Sequence, residues 1–141
     1  MNLWVSDWFE NNPQNTGPNW KCGQEASIRV INILLAQEMI GSDRVSQSII
    51  ELLKVHIDRI TPTTFYAKAQ NNNHGLSEGC ALFLAGYFLW KNKKRKIYYF
   101  TYQKGIKLVE DQVQELILDD GTFSQYSIVY HRMILDLLSV I

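Results

Sequence analysis

Apolar residues recur three and four positions apart in one stretch of this chain after another, and nowhere do they alternate convincingly with period two. A 3.6-residue period draws stripes along helices, so the pattern predicts an all-α chain. The first stretch runs from about Gln24 to Ile40. Ile28, Ile31, Leu34, Leu35 and Met39 make it apolar almost all round, which predicts deep burial. Gly41 stops it, and Ser42 or Asp43 is placed to cap the next helix. That second helix carries the stripe Val45, Ile49, Leu52, Leu53, Ile57, Ile60 with a polar opposite face, so it should lie outside, ending at Thr61-Pro62. A third begins near Gly75 and runs to about Trp90. Leu76, Cys80, Phe83, Leu84 and Tyr87 share one face, and Gly79, Ala81, Ala85 and Gly86 are small enough for close helix approach.

Lys91 to Lys96 reads as a basic connector, a solvated loop whose charge is cancelled by the acids between Glu110 and Asp120. A long fourth helix follows to about Leu118, with Tyr102, Ile106, Val109, Val113 and Leu116 in register. Asp119-Asp120-Gly121 is a turn, and a fifth helix starts after Phe123, with Ser124 as its cap, and continues to the C-terminus. Short connections imply antiparallel helical hairpins. Inner, apolar helices alternating with outer, striped ones make the pattern of a helical solenoid or toroid, although no repeat of residue identity is present. Residues 1–23 form a loop-like lead-in in which Trp4, Trp8, Phe9 and Trp20 alternate with Asn, Pro and Gly, and so many rings predict that it packs on something. Residues 24–141 carry the hairpins. The last helix ends on the apolar run 137–141, whose face needs a partner, so the chain reads as a single partial domain or as one that self-associates.

With 46% hydrophobic and 20% charged residues the 141-residue chain fits a soluble globular domain with a real core. Its formal net charge of zero gives no global pull toward nucleic acid or an anionic membrane. No apolar run is long enough for a transmembrane helix, and no signal peptide is visible. Cys22 and Cys80 form no disulfide framework, and His56, His74 and His131 share no metal-ligand spacing, so neither a metal nor a cofactor is expected.

The candidate chemistry starts where Asn71-Asn72-Asn73-His74-Gly75 runs into the third helix. Asn is a preferred helix cap and His74 fits a turn, which is one reading of the cluster. The other is that an amide, an imidazole and exposed helix N–H groups converge on a carboxylate. Glu78, one turn further, reads as returning a hydrogen bond to the helix start as in a capping box. Tyr130, His131 and Arg132 lie on successive helix faces and cannot all point the same way; one is expected to face a cleft. Glu25 and Arg29 are spaced for a surface ion pair, or for an internal strut if their helix is buried. Trp20 is either a sugar-stacking platform or a plug.

Three blocks, Trp20–Arg29 (WKCGQEASIR), Asn72–Gly86 (NNHGLSEGCALFLAG) and Asp120–Arg132 (DGTFSQYSIVYHR), resemble in sequence and order the heparinase II/III-like polysaccharide lyases. The resemblance spans nearly the whole chain. It implies part of an incomplete α/α toroid, which in that family precedes a β-sandwich domain, with sugar in the cleft between them. It also implies β-elimination at a uronic acid, in which a base removes the C5 proton and the developing enolate-like charge must be stabilised. On that resemblance Asn73 neutralises the carboxylate, Tyr130 transfers the proton, and His74 holds the carboxylate or shares the proton. Gln125 binds sugar near the cleavage point, with Trp20 and Arg132 as further substrate contacts, and Glu78, Glu25, Arg29 and His131 support the site. The implied partners are an acidic polysaccharide and a β-sandwich domain that these residues do not include, so the chain by itself is expected to be inactive. A bacterial periplasmic or extracellular location goes with the resemblance. Two other classes fit the same residues: a non-catalytic glycan-binding module, and a helical-repeat scaffold for protein partners.

Overall fold

The computed structural model describes residues 2–41 and 45–141. Among these residues the chain is all-α: α1 (Asn2–Asn11), α2 (Gly23–Ile40), α3 (Gln47–Ile60), α4 (Thr64–Ala69), α5 (Asn73–Lys93), α6 (Lys96–Leu116) and α7 (Ile128–Leu138), with 3-10 turns at Pro18–Trp20 and Thr61–Thr63. The only extended pairing among them is a single antiparallel bridge, Ile117 to Phe123.

The core sits around α5. Leu76, Cys80, Ala81, Leu82, Ala85 and Leu89 are all buried, and α6, α2, α3, α4 and α7 pack about this one helix. Its partnership with α6 is the most extensive, for the reason legible in its small residues. Gly86 lies against the backbone of Thr101 and Tyr102, and Gly105 of α6 against the backbone of Leu82 and Phe83, with no room for a Cβ at either. Gly79 lets Val109 approach, so a methyl there would stand 2.9 Å from its Cγ2. Backbone therefore meets backbone along the α5–α6 hairpin, and Phe83 and Tyr102 close the seam with rings 5.3 Å apart. The buried face of α5 is rotated from the stripe read in the sequence, since Tyr87 is exposed while Leu82, Ala85 and Leu89 are not.

Helix α3 follows its stripe closely. Ile49, Leu52, Leu53, Ile57 and Ile60 are buried, joined by Ile50 and His56. Its cap is Ser46, whose hydroxyl accepts from the Ile49 N–H at 3.2 Å. The expected caps Ser42 and Asp43 lie outside the described residues. Thr61-Pro62 ends α3, and the 3-10 turn leads into α4, a short helix the sequence did not announce.

Four other expectations are corrected. Helix α2 is buried only in part: Ala26, Ser27, Val30 and Ile31 are, but Met39 and Ile40 at its end are exposed. The lead-in is not loop-like throughout, because residues 2–11 form α1, and three of its four aromatic residues pack while Trp4 is exposed. Trp8, Phe9 and Trp20 gather around His56, Trp20 with its ring 4.9 Å away. The basic run is mostly helical; only Lys94 and Arg95 lie between α5 and α6, with Lys94 in the left-handed conformation that ends α5. Helix α7 starts at Ile128, not after Phe123, because residues 117–126 spend their backbone bonds in a tight loop. Leu118 and Thr122 pair, Ser124 N–H donates to the Leu116 carbonyl, and Tyr126 N–H donates to the Phe123 carbonyl. Ser124 therefore caps nothing.

Candidate functional site at the N-terminus of α5

The run of three asparagines divides its labour. Asn71 adopts a left-handed backbone, φ 49°, to turn the chain. Asn72 is the cap, its Oδ1 accepting from the His74 N–H at 2.9 Å. That leaves Asn73, the first residue of α5, with its side chain uncommitted to capping and only 2% exposed. Its backbone N–H donates to Gln125 Oε1 at 3.3 Å. Its amide Nδ2 donates to the thioether sulfur of Met133 at 3.5 Å. Gln24, in the first turn of α2, donates to the same sulfur at 3.7 Å.

Three elements far apart in sequence are thus joined at one point. Gln125 is held there by its loop. Asp120 Oδ1 accepts from both the backbone N–H and the hydroxyl of Thr122, at 2.9 and 2.7 Å, Gly121 takes φ 81°, and Phe123 anchors the loop in the core at 2% exposure. Tyr130 lies one turn before Met133, on the same face of α7, and its side chain is 42% exposed. His74 is half-buried, and burial lowers its pKa, so its imidazole is neutral at neutral pH. Behind the helix start, Gln112 of α6 packs against Gly75 with its Oε1 buried and unpartnered, while its Nε2 donates to Glu115 at 3.1 Å.

Glu78 does not form a capping box. It stands more than a turn into α5, 3% exposed, with its carboxyl against Gly23, the first residue of α2, and its Oε2 without a partner. Burial raises its pKa to about 7 although Arg59 and Lys104 oppose the shift. Those two cations are occupied with carbonyls: Arg59 with Trp20 and Lys21 at 2.7 and 2.6 Å, Lys104 with Thr61 at 2.9 Å.

The other expected residues are placed as follows. Trp20 is the plug, not the platform: it is 2% exposed, its Nε1 donates to the Asn12 carbonyl at 3.1 Å, and no ring face is left for a sugar. Glu25 is exposed, and its negative charge favours the charged form of Arg29. Arg29 is a strut with other partners. It donates to His56 Nε2 at 3.3 Å and to the Asn19 carbonyl at 2.5 Å, and its guanidinium lies 4.9 Å from the centre of the Trp8 ring. Burial lowers its pKa, and lowers that of His56 to about 4. His56 is neutral as a result, and its Nδ1 donates to the Leu52 carbonyl at 2.8 Å. Arg132 points to solvent, 3.7 Å from Asp136, and His131 is half-buried with its backbone N–H bonded to the Ser127 carbonyl.

The structure therefore brings together Asn73, Gln125 and Gln24 about Met133, with Tyr130 one turn before that methionine on α7, while Trp20 and Arg29 serve the α1–α2–α3 junction and Glu25 is exposed. Met133 and Gln112 carried no signal in the sequence, because a methionine or glutamine on a helix stripe reads as packing or surface. The chemistry available at the point of convergence is that of neutral amide donors at a helix start. Such a set stabilises a carboxylate without any group having to ionise. No His, Cys, Asp and Glu cluster suited to a metal occurs among the described residues. The chain matches no family model, no curated protein and no solved structure.

Proposed function

We propose that the chain is the toroid segment of a polysaccharide lyase that cleaves uronate-containing glycans by β-elimination. One observation supports this reading above others. Gln24, Asn73 and Gln125 each come from one of the three blocks that resemble the heparinase II/III-like lyases, and all three are hydrogen-bonded into one cluster. A helical scaffold for protein partners has no need to gather these amides.

In this reading Asn73 donates to the uronate carboxylate and spreads the charge that builds when the C5 proton leaves. Tyr130 takes that proton and returns one to the leaving oxygen, a role that needs hydrogen-bond reach to both atoms. His74, neutral at the pH of interest, donates to the carboxylate or relays the proton. Gln125 contacts the sugar at the cleavage point, and Arg132, solvent-directed, meets the polysaccharide further along. The second wall of the cleft is the β-sandwich that the resemblance implies.

The test is made in the protein that joins this helical unit to its β-rich domain, incubated with heparan-type and alginate-type substrates. The unsaturated product should appear by its absorbance, Asn73→Ala and Tyr130→Phe should each lower turnover by about a hundredfold or more, and glycan should still bind. Turnover unchanged in both variants removes the role assignments. Glycan binding without turnover in the parent protein points instead to a non-catalytic binding module.

A further inference from the structure

Asn73 presents a difficulty for any ligand. Its amide is 2% exposed, so nothing from solvent reaches it while its neighbours stay in place. What covers it is Gln125, through the backbone N–H, and Met133, through the side-chain amide. Both covering residues are half-buried, so each has a solvent side toward which it can move.

We propose that Met133 is a positioning residue of this site, holding the Asn73 and Gln24 amides on its thioether until a uronate carboxylate displaces it. The inference rests on the glycan reading above and adds to it how the site is kept in order when empty. A thioether is a weak acceptor, whereas a carboxylate oxygen forms charge-assisted bonds of roughly twice the strength of neutral ones. The exchange therefore runs toward the ligand. Methionine suits the role because its unbranched side chain swings through several rotamers, which leucine or isoleucine in the same stripe would not do as readily. The sulfur also marks where an acceptor belongs. It is already within reach of two amide donors, one from α2 and one from α5, at 3.7 and 3.5 Å. A carboxylate oxygen arriving at that point inherits both.

The experiment uses the chain labelled with ¹³C at its methionine methyl groups. It has three methionines, and Met39, 88% exposed at the end of α2, is the internal control. The probes are two acidic tetrasaccharides, one of mannuronate and one carrying glucuronate, against a neutral glucose tetrasaccharide. An acidic probe should move the Met133 methyl signal and leave that of Met39, while the neutral sugar moves neither. In the ligand-free protein Met133→Leu should shift the side-chain amide signals of both Asn73 and Gln24. The same variant should bind the acidic probe roughly threefold more tightly, because no N–H···S contact has to break first. A purely structural methionine gives the opposite, equal or weaker binding. Amide signals that stay put in Met133→Leu, or an acidic probe that binds without moving the Met133 methyl, overturn the inference and leave the glycan reading intact. If no acidic probe binds the parent chain while the amide signals do move, the sulfur contact stands and its displacement by a carboxylate falls, while the glycan reading is decided separately by turnover in the protein that carries the β-rich domain.

Discussion

Glu78 shows how much a single buried group can weigh. Its carboxyl is pressed against the first residue of α2 with one oxygen unpartnered, and its pKa is raised to about 7 chiefly by burial. A raised carboxyl pKa means that the folded state holds its proton at a pH where the unfolded chain has released it. The stabilisation is then fully present below the ordinary carboxylate range and is lost as pH rises through about 7. The unfolding free energy should fall by on the order of 3 kcal/mol across that interval, and Glu78→Gln should flatten the fall and be the more stable form at pH 8. Urea titrations at a series of pH values read both; a parent and variant with parallel pH profiles would refute the assignment. Asn72 makes a second case. As the cap of α5, its replacement by Ala should cost about 1 kcal/mol, whereas Asn71→Gly suits the left-handed backbone there and loses only the amide's bonds to the Lys68 carbonyl and Glu115, so it should cost less. That contrast was not legible in the sequence. Three asparagines in a row offer the same side chain to three geometries, and only the path of the backbone into α5 assigns the cap to the middle one.

At the scale of elements, the α5–α6 hairpin depends on glycine in a way that inverts the usual helix preference. In an exposed helix, Gly→Ala gains about 1 kcal/mol. Here Gly86→Ala and Gly105→Ala each drive a methyl into the partner's backbone, so each should instead cost about 2 kcal/mol or more. Chemical denaturation of both variants, with Gly41→Ala as a third, separates the two effects. Gly41 has open space around it but a positive φ, so its cost comes from backbone strain alone. The small residues on α5 announced this close approach, and the stripe of α3 announced its buried face. Other elements gave no such notice. Helix α1 has the Asn and aromatic residues of a loop, and it becomes a helix because Trp8 and Phe9 find Trp20 and His56 to pack against. Helix α7 starts late because the loop before it spends its backbone bonds on Leu116, Leu118 and Phe123. Tertiary packing overrides local propensity in both places.

For the whole molecule, the unpaired apolar surface is the main consequence. Tyr87 and Tyr99, with Ile97 and Phe100, stand exposed on the α5–α6 hairpin, and Ile128, Val129 and Leu135 do so on α7. A formal net charge of zero offers no repulsion to oppose contact between such faces. Sedimentation velocity should show the weight-average mass rising with protein concentration, and a single monomeric species at high concentration without detergent would contradict this. The sequence by itself determined that the chain is helical, which segments form the hairpins and where small residues let two helices touch. These properties are set by neighbours three and four residues away, and periodicity records them. The tertiary structure alone decided that Asn73 would share a sulfur with Gln24, that Arg29 would bond His56, that Trp20 would be sealed in, and that Glu78 would hold its proton up to about pH 7. Each of these depends on a partner tens of residues distant or on the water that packing excludes, and no local pattern encodes either.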